Sequence, residues 1–400
     1  MLWSWGPWLF IGALVLTVMT VALLSDARFM LRWTIPLDQF RKQGEWEAFE
    51  RYLRLRRTTW RPFVLLVRWF YSPGIHESKI ALELSQLGYH DEALTLVSGA
   101  LERTGRNTKR VAAVLSARAL VLYQAARFEE ALELRDALRA SLPRARHGYA
   151  VVGLCLTELG RPDEAERFFR QLLLDDASND SAQIGLAGAL RWLGRFDESV
   201  QVLQALQAKA AEPVLPPDRV KTFQSSEEGR AFLSRLEARR SGMLNPGRQL
   251  ACAEALMCAG RARAALPFLE QAGTQARSTK LIRVLELRIG AWASAAVGSP
   301  QDADAKLEEM WRLVHAHPAW RTRHEAWLYQ GIVDSVLRRF EPSLRALSES
   351  RVHANSPLAR AWVGWWTLQA QRGAGLASEA GQTESTLAES GVRAWFVPHS

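Results

Sequence analysis

The feature that most constrains this chain is a short turn sequence that keeps returning. Leu87-Gly88-Tyr89-His90-Asp91-Glu92-Ala93 is the first copy. Arg127-Phe128-Glu129-Glu130-Ala131 follows 38 residues later, then Gly160-Arg161-Pro162-Asp163-Glu164-Ala165 after 34 and Leu193-Gly194-Arg195-Phe196-Asp197-Glu198-Ser199 after another 34. Degraded copies stand at Gly260–Ala265, Gly298–Ala303 and Arg339–Ser343. Apolar residues recur at helical spacing on both sides of each turn, as Val152, Leu156 and Leu159 do before Gly160 and Phe169 and Leu172 after it. Gly160 can take the left-handed conformation that ends one helix. Pro162 and Asp163 suit the first turn of the next, where a missing N–H and a negative charge are tolerated. Ala165 is small enough to let the second helix pack closely on the first. One such hairpin cannot bury its own apolar faces, but a stack of them can, so the period predicts an all-α solenoid.

These copies resemble the tetratricopeptide repeat, a 34-residue hairpin that often carries Gly in its turn and a small residue five positions later. The resemblance covers residues 74–207 closely and 246–390 more loosely. The departures are Ala126 in place of the turn Gly, Ser199 and Ser343 in place of the small Ala, and few prolines at repeat ends. The resemblance implies a right-handed superhelix whose first helices line a concave groove for a peptide or a partner helix. Aligned on Gly88, Gly160 and Gly194, the groove positions are Gln86, Tyr123, Gln124, His147, Glu158, Arg191 and Trp192. Tyr, Trp and Arg are the types that dominate interface energetics. The paired Lys and Asn with which some family members clamp a peptide C-terminus are not visible.

The N-terminus reads differently. Pro7–Leu24 carries no charge across 18 residues and is preceded by Trp3 and Trp5, with Trp8 at its start. That is long enough to span a bilayer, with Trp at the headgroup level. Arg28, Arg32 and eight further basic residues follow by Arg68, so the positive-inside rule places the rest of the chain in the cytoplasm. A cleaved signal peptide would find a suitable site at Ser25 and Ala27, but its basic leading region is missing. The anchor is the favoured reading. Ile35–Arg57 resembles a partial repeat that caps the solenoid, with Phe49 at the small position. Trp60–Tyr71 is short, aromatic and punctuated by Arg61 and Arg68. It reads either as a membrane-interface segment, with Trp60 and Trp69 at headgroup depth, or as a repeat helix packed on the core.

Taken together, the expected organisation is an anchor over 1–25, a basic juxtamembrane and capping segment over 26–73, and regular repeats over 74–207. A proline-marked linker with a lone helix follows over 208–247, then degenerate repeats over 248–400. The tail from Val392 should fray or dock as a short cap. The net charge of +9 invites a nucleic-acid reading, but its Arg content concentrates near the anchor, where a membrane surface explains it better. Cys155, Cys252 and Cys258 form no CxxC pair and read as buried thiols. His315, His317 and His324 match no metal spacing. The pairs Glu129-Glu130 and Asp197-Glu198 fall in first turns, where they complement the helix dipole. No nucleotide loop or catalytic triad order is present, so no enzyme activity, cofactor or metal is expected. The expected role is a membrane-anchored scaffold for other proteins at the inner membrane. The alternatives are a subunit that assembles or regulates an envelope complex, and a periplasmic or secreted solenoid released by cleavage.

Overall fold

The computed structural model of the chain describes residues 74–396, except 87, 105–107, 143–144, 178, 212–245, 276–279 and 317–323. Pro7–Leu24, the capping segment, Arg28, Arg32, Trp60, Arg61, Arg68, Trp69 and the linker's lone helix therefore lie outside the described residues. No helix among the described residues is long and apolar enough to cross a membrane.

Residues 75–211 form four hairpins. They pair α1 (Ile75–Gln86) with α2 (His90–Arg103), and α3 (Thr108–Gln124) with α4 (Phe128–Glu133) and α5 (Arg135–Ala140). Next come α6 (Arg146–Glu158) with α7 (Pro162–Asp175), and α8 (Asp180–Trp192) with α9 (Phe196–Ala211). Residues 246–389 form four more. These are α10 (Pro246–Cys258) with α11 (Ala262–Gln275), α12 (Lys280–Ala296) with α13 (Pro300–His315), α14 (His324–Val336) with α15 (Phe340–His353), and α16 (Pro357–Gly373) with α17 (Ala377–Glu389). Every described residue except Lys280 belongs to one compact unit. The described chain is thus an all-α, tetratricopeptide-like solenoid.

The turns explain why these helices stop where they do. At Gly160 the backbone is left-handed (φ +75°), its N–H donates to Thr157 O, and Arg161 N–H donates to Leu156 O. This Schellman closure satisfies carbonyls that the helix end would otherwise leave open. The same pair of bonds recurs at each of the eight described turns, including the one at Gly375. Ala126 (φ +57°) and Arg338 (φ +58°) adopt the conformation without being glycine, which costs them the clash of Cβ with the following carbonyl. Five residues past each turn, Ala93, Ala131, Ala165, Ser199, Ala265, Ala303, Ser343 and Ala380 are all buried. The two serines keep the fit by satisfying their hydroxyls. Ser199 Oγ donates to Ala187 O at 2.7 Å and Ser343 Oγ to Gly331 O at 2.7 Å, each reaching the helix before the turn.

A second device sits on the same turns. Arg127, Arg161 and Arg195 each reach the Glu three residues on, Glu130, Glu164 and Glu198, through paired hydrogen bonds. The carboxylates thus oppose a guanidinium as well as the helix dipole, which holds all three below the usual carboxylate range.

One apolar cluster runs from Ala81 to Leu190 through all four of the first hairpins. Ala187, Leu203 and Cys252 pack together and continue it from α8 and α9 into α10. Between the first helices of neighbouring hairpins sits Phe169. Its ring leaves no room for a Cβ on Gly153 (2.4 Å) or Gly185 (2.1 Å), so both must be glycine.

Candidate functional site

Four of the seven groove positions read from the sequence fall into two contact pairs, Tyr123 with Glu158 and Arg191 with Trp192, and Arg191 and Trp192 also meet residues of the later hairpins. Tyr123, near the end of α3, donates its hydroxyl to Glu158 Oε1 at 3.3 Å, near the end of α6. The hydroxyl of Ser356, the residue that caps α16, also acts on the Glu158 carboxyl. Burial pushes the Glu158 carboxyl up, and the hydrogen bonds from Ser356 and Tyr123 offset this only in part. Burial, then the Glu158 charge, pushes the Tyr123 hydroxyl well above its ordinary value.

One repeat further on, Arg191 pairs with Glu254 of α10, and Tyr329 of α14 donates its hydroxyl to the same carboxylate. Burial alone would raise the Glu254 carboxyl, but the Arg191 and Arg288 guanidiniums outweigh it and hold the group below the usual range. Arg288 lies over the Tyr329 ring at 5.0 Å. Two buried carboxylates on one face therefore behave oppositely. Glu254 has two cations beside it; Glu158 has hydroxyls and the His324 imidazole, set against the charge of Glu325.

Trp192 is 7% exposed. The Arg191 guanidinium lies over its ring at 4.9 Å, and Trp362 and Phe396 meet it edge-on at 5.0 and 5.6 Å. The aromatic contacts continue from Trp362 to Tyr329, from Tyr329 to Trp292 and from Trp292 to Trp366. Edge-to-face contacts of this kind add to what burial alone contributes.

The other three positions differ. His147 is exposed, and its Nδ1 lies 2.8 Å from Ser181 Oγ in the next repeat. Gln124 is half-buried with no partner for its Oε1. Gln86 closes α1, and its side chain lies outside the described residues.

The last described segment also lies against the regular hairpins. Arg393 N–H donates to Gly160 O at 3.1 Å and Trp395 N–H to Trp192 O at 2.9 Å. Val392 sits on Gly160, where a Cβ would lie 2.9 Å from it, and Trp395 sits on Gly194 at 3.0 Å. Trp395 meets Phe196 edge-on at 5.4 Å. Of the two fates expected for the tail, residues 392–396 take the docked one.

Sequence reasoning singled out none of Glu254, Arg288, Tyr329 or Phe396 for this face. Glu254 lies 63 residues from Arg191 and 75 from Tyr329, and nothing local announces such pairings. The turn at Gly375, with Ala380 five residues on, carries the repeat's own signature.

The remaining candidates are quieter. Burial pushes the free thiols of Cys155, Cys252 and Cys258 up to about 12. His315 ends α13 stacked on Trp311, His324 opens α14, and His317 lies outside the described residues. Among the described residues no group of three or more His, Cys, Asp or Glu could hold a metal ion. Asn179 caps α8 by accepting from Ala182 N–H.

Two family models match the chain, both in the regular hairpins: a tetratrico peptide repeat over residues 77–156 and a tetratricopeptide repeat over residues 156–215. No curated protein matches. Among solved structures, the chain is similar to a tetratricopeptide repeat protein from Parabacteroides merdae ATCC 43184, at 16% identity over 72% of this chain and 93% of that one, with a TM-score of 0.42. It is also similar to the human IFIT1 dimer with m7Gppp-AAAA, at 16% identity over 79% and 68% with a TM-score of 0.40. A third is yeast Tom70, at 11% identity over 93% of both chains with a TM-score of 0.26.

Proposed function

We propose that this chain is a protein-interaction scaffold attached to a membrane by Pro7–Leu24, with its helical hairpins in the cytoplasm. The observation that supports the interaction role is the run of four stacked hairpins over residues 75–211, the part that tetratricopeptide models match. Repeats of this family generally bind other proteins. The charge-free run followed by clustered Arg supports the attachment and its orientation. On this reading a partner peptide or helix lies along the first helices, at Gln86, Tyr123, Gln124, His147, Glu158, Arg191 and Trp192. His147 is where it arrives, being exposed. Arg191 and Trp192 are engaged with the later hairpins, Ser356 acts on Glu158, and Tyr123 is bonded to Glu158, so a partner reaches these four only as those contacts yield.

A photo-crosslinking amino acid at position 147 should give discrete adducts with partner proteins. The same residue at position 174, where Leu174 is 81% exposed, should not. Identical adduct patterns from the two positions would contradict the placement. A reporter fused after Ser400 should work only if it is a cytoplasmic one; activity of a periplasmic reporter there would reverse the orientation.

A further inference from the structure

The tail segment is held in a way that a separate peptide could copy. Residues 393 and 395, two apart, direct their main-chain N–H groups at carbonyls near the ends of α6 and α8, the first helices of consecutive hairpins. That geometry is open to any extended chain, because it uses no side chain. The seats for side chains are specific. Val392 fits over Gly160 and Trp395 over Gly194, where the turn glycines leave the space that a Cβ would fill. The Trp395 ring packs on Phe196 and Trp365, and the Phe396 ring on Trp192. Arg393 adds to the positive charge that Arg161 already brings to Glu164.

Two details show that the present occupant fits imperfectly. The Trp395 Nε1–H is buried without a protein acceptor, and an unpaired buried donor weakens the hold on its seat. A cavity of 290 Å³ also remains beside Ala394, lined by Asp163, Glu166 and Arg195 among others. The segment joins α17 through Ser390 and Gly391, and Gly391 is exposed, left-handed (φ +66°) and has open space around it. It holds its seat partly because it is tethered, a short tether giving an effective concentration on the order of millimolar.

We propose that the row of turns at Gly160 and Gly194, with Trp192 and Phe196 beside it, is a peptide-docking site. Its ligand is an extended segment of a partner protein with the order aliphatic, basic, small, aromatic, Phe, and Val392–Phe396 is its built-in occupant. The site lies at the turn edge of the hairpins and shares Trp192 alone with the groove positions above. A ligand with Phe in the Trp395 seat avoids the unpaired N–H and displaces the tail.

The test uses a labelled peptide, Gly-Val-Arg-Ala-Phe-Phe-amide, and a scrambled control. Binding is followed by fluorescence polarisation to the full chain and to its double variant Trp395→Ala, Phe396→Ala, with folding checked by circular dichroism. The variant should bind the peptide at least about tenfold more tightly than the unaltered chain, whose tethered tail competes. The scrambled control should bind neither protein, and Phe196→Ala added to the variant should weaken binding about tenfold or more. A folded variant that ignores the peptide, or takes the control equally well, overturns the proposal. Should the double variant unfold, the unaltered chain decides: excess peptide must speed amide exchange at Trp395 where the scrambled peptide does not, and unchanged exchange overturns the proposal.

Discussion

Between α6 and α8 one ring, Phe169, is fully buried against two glycines, with Phe168 edge-on beside it. Between α12, α14 and α16 the seam is closed by Trp292, Tyr329, Trp362 and Trp366, which meet edge to face at 5.8 to 6.1 Å. The recurrent turn ion pairs are local in the regular hairpins, although Arg195 also reaches Glu166 29 residues back, and the later hairpins keep one such local pair, Arg283 with Glu286. In the regular hairpins Arg127, Arg161 and Arg195 reach a Glu three residues away. In the later ones Arg283 reaches Glu309 and Arg339 reaches Asp304, partners 26 and 35 residues off. The first region therefore satisfies itself within a repeat and its neighbour, so each repeat must keep the same residues. The second region answers to contacts with the first as well as to its own stacking. Glu254 and Trp362 meet Arg191 and Trp192 of the regular hairpins, Ser356 acts on Glu158, and Tyr329 shares the Glu254 carboxylate with Arg191. A motif survives where its constraint is local and decays where the constraint comes from elsewhere, which accounts for the family models matching only residues 77–215.

The largest effect that would break this comparison is at its centre. Phe169→Ala should cost about 3–5 kcal/mol, read as a fall in the urea midpoint, because two glycines cannot refill the space. Trp366→Ala should cost less, since that side chain is half-buried and already carries an unpaired Nε1–H. Equal losses would mean that the two seams are not built differently.

Next come two turn glycines in the same left-handed conformation. Gly160→Ala and Gly260→Ala should each lose about 1 kcal/mol from the strained backbone. Gly160→Ala should lose more, because its new Cβ meets Val392 at 2.9 Å while nothing lies within 4 Å at Gly260. In the opposite direction, Ala126→Gly and Arg338→Gly should each stabilise the chain by roughly 0.5–1 kcal/mol, raising the midpoint of thermal unfolding. A loss at both would show that these turns are not strained.

The smallest effect concerns Glu158. Its folded carboxyl holds its proton more tightly than the ordinary value of 4.5, mainly through burial. The stability it contributes is therefore complete below that pH and is lost as pH rises through the raised value. Glu158→Gln, which stays neutral, should match the unaltered chain near pH 4 and melt higher than it at pH 8. Glu254 is depressed, so its contribution runs the other way, present above the ordinary carboxylate range and lost on acidification.

What was legible in the sequence follows the same division. Gly160 and Ala165 announce a turn and a close helix contact because both demands fall within six residues. The Ser199 and Ser343 departures were visible too, although only the structure shows their hydroxyls bonded to the preceding helix. The family register placed Tyr123, Glu158, Arg191 and Trp192 on one face. It could not say that α10, α14 and α16 would meet them there, because burial of a carboxylate by residues 63 to 75 positions away has no local signature. The tail was equally opaque. Val392 to Phe396 has no helical period, and its seat is made of main-chain carbonyls and the bare faces of turn glycines.

The central claim is that the chain folds back so that its last segment rests on the regular hairpins, and amide hydrogen exchange resolved to single residues tests it most directly. Arg393 and Trp395 donate to Gly160 O and Trp192 O, whereas among the described residues no such bond is made by the Ala394 amide. Exchange should therefore be slow at 393 and 395 and faster at 394. Uniformly fast exchange from 391 to 396 would mean that the segment does not rest there, and the account of the second region as answering to the first would fall with it.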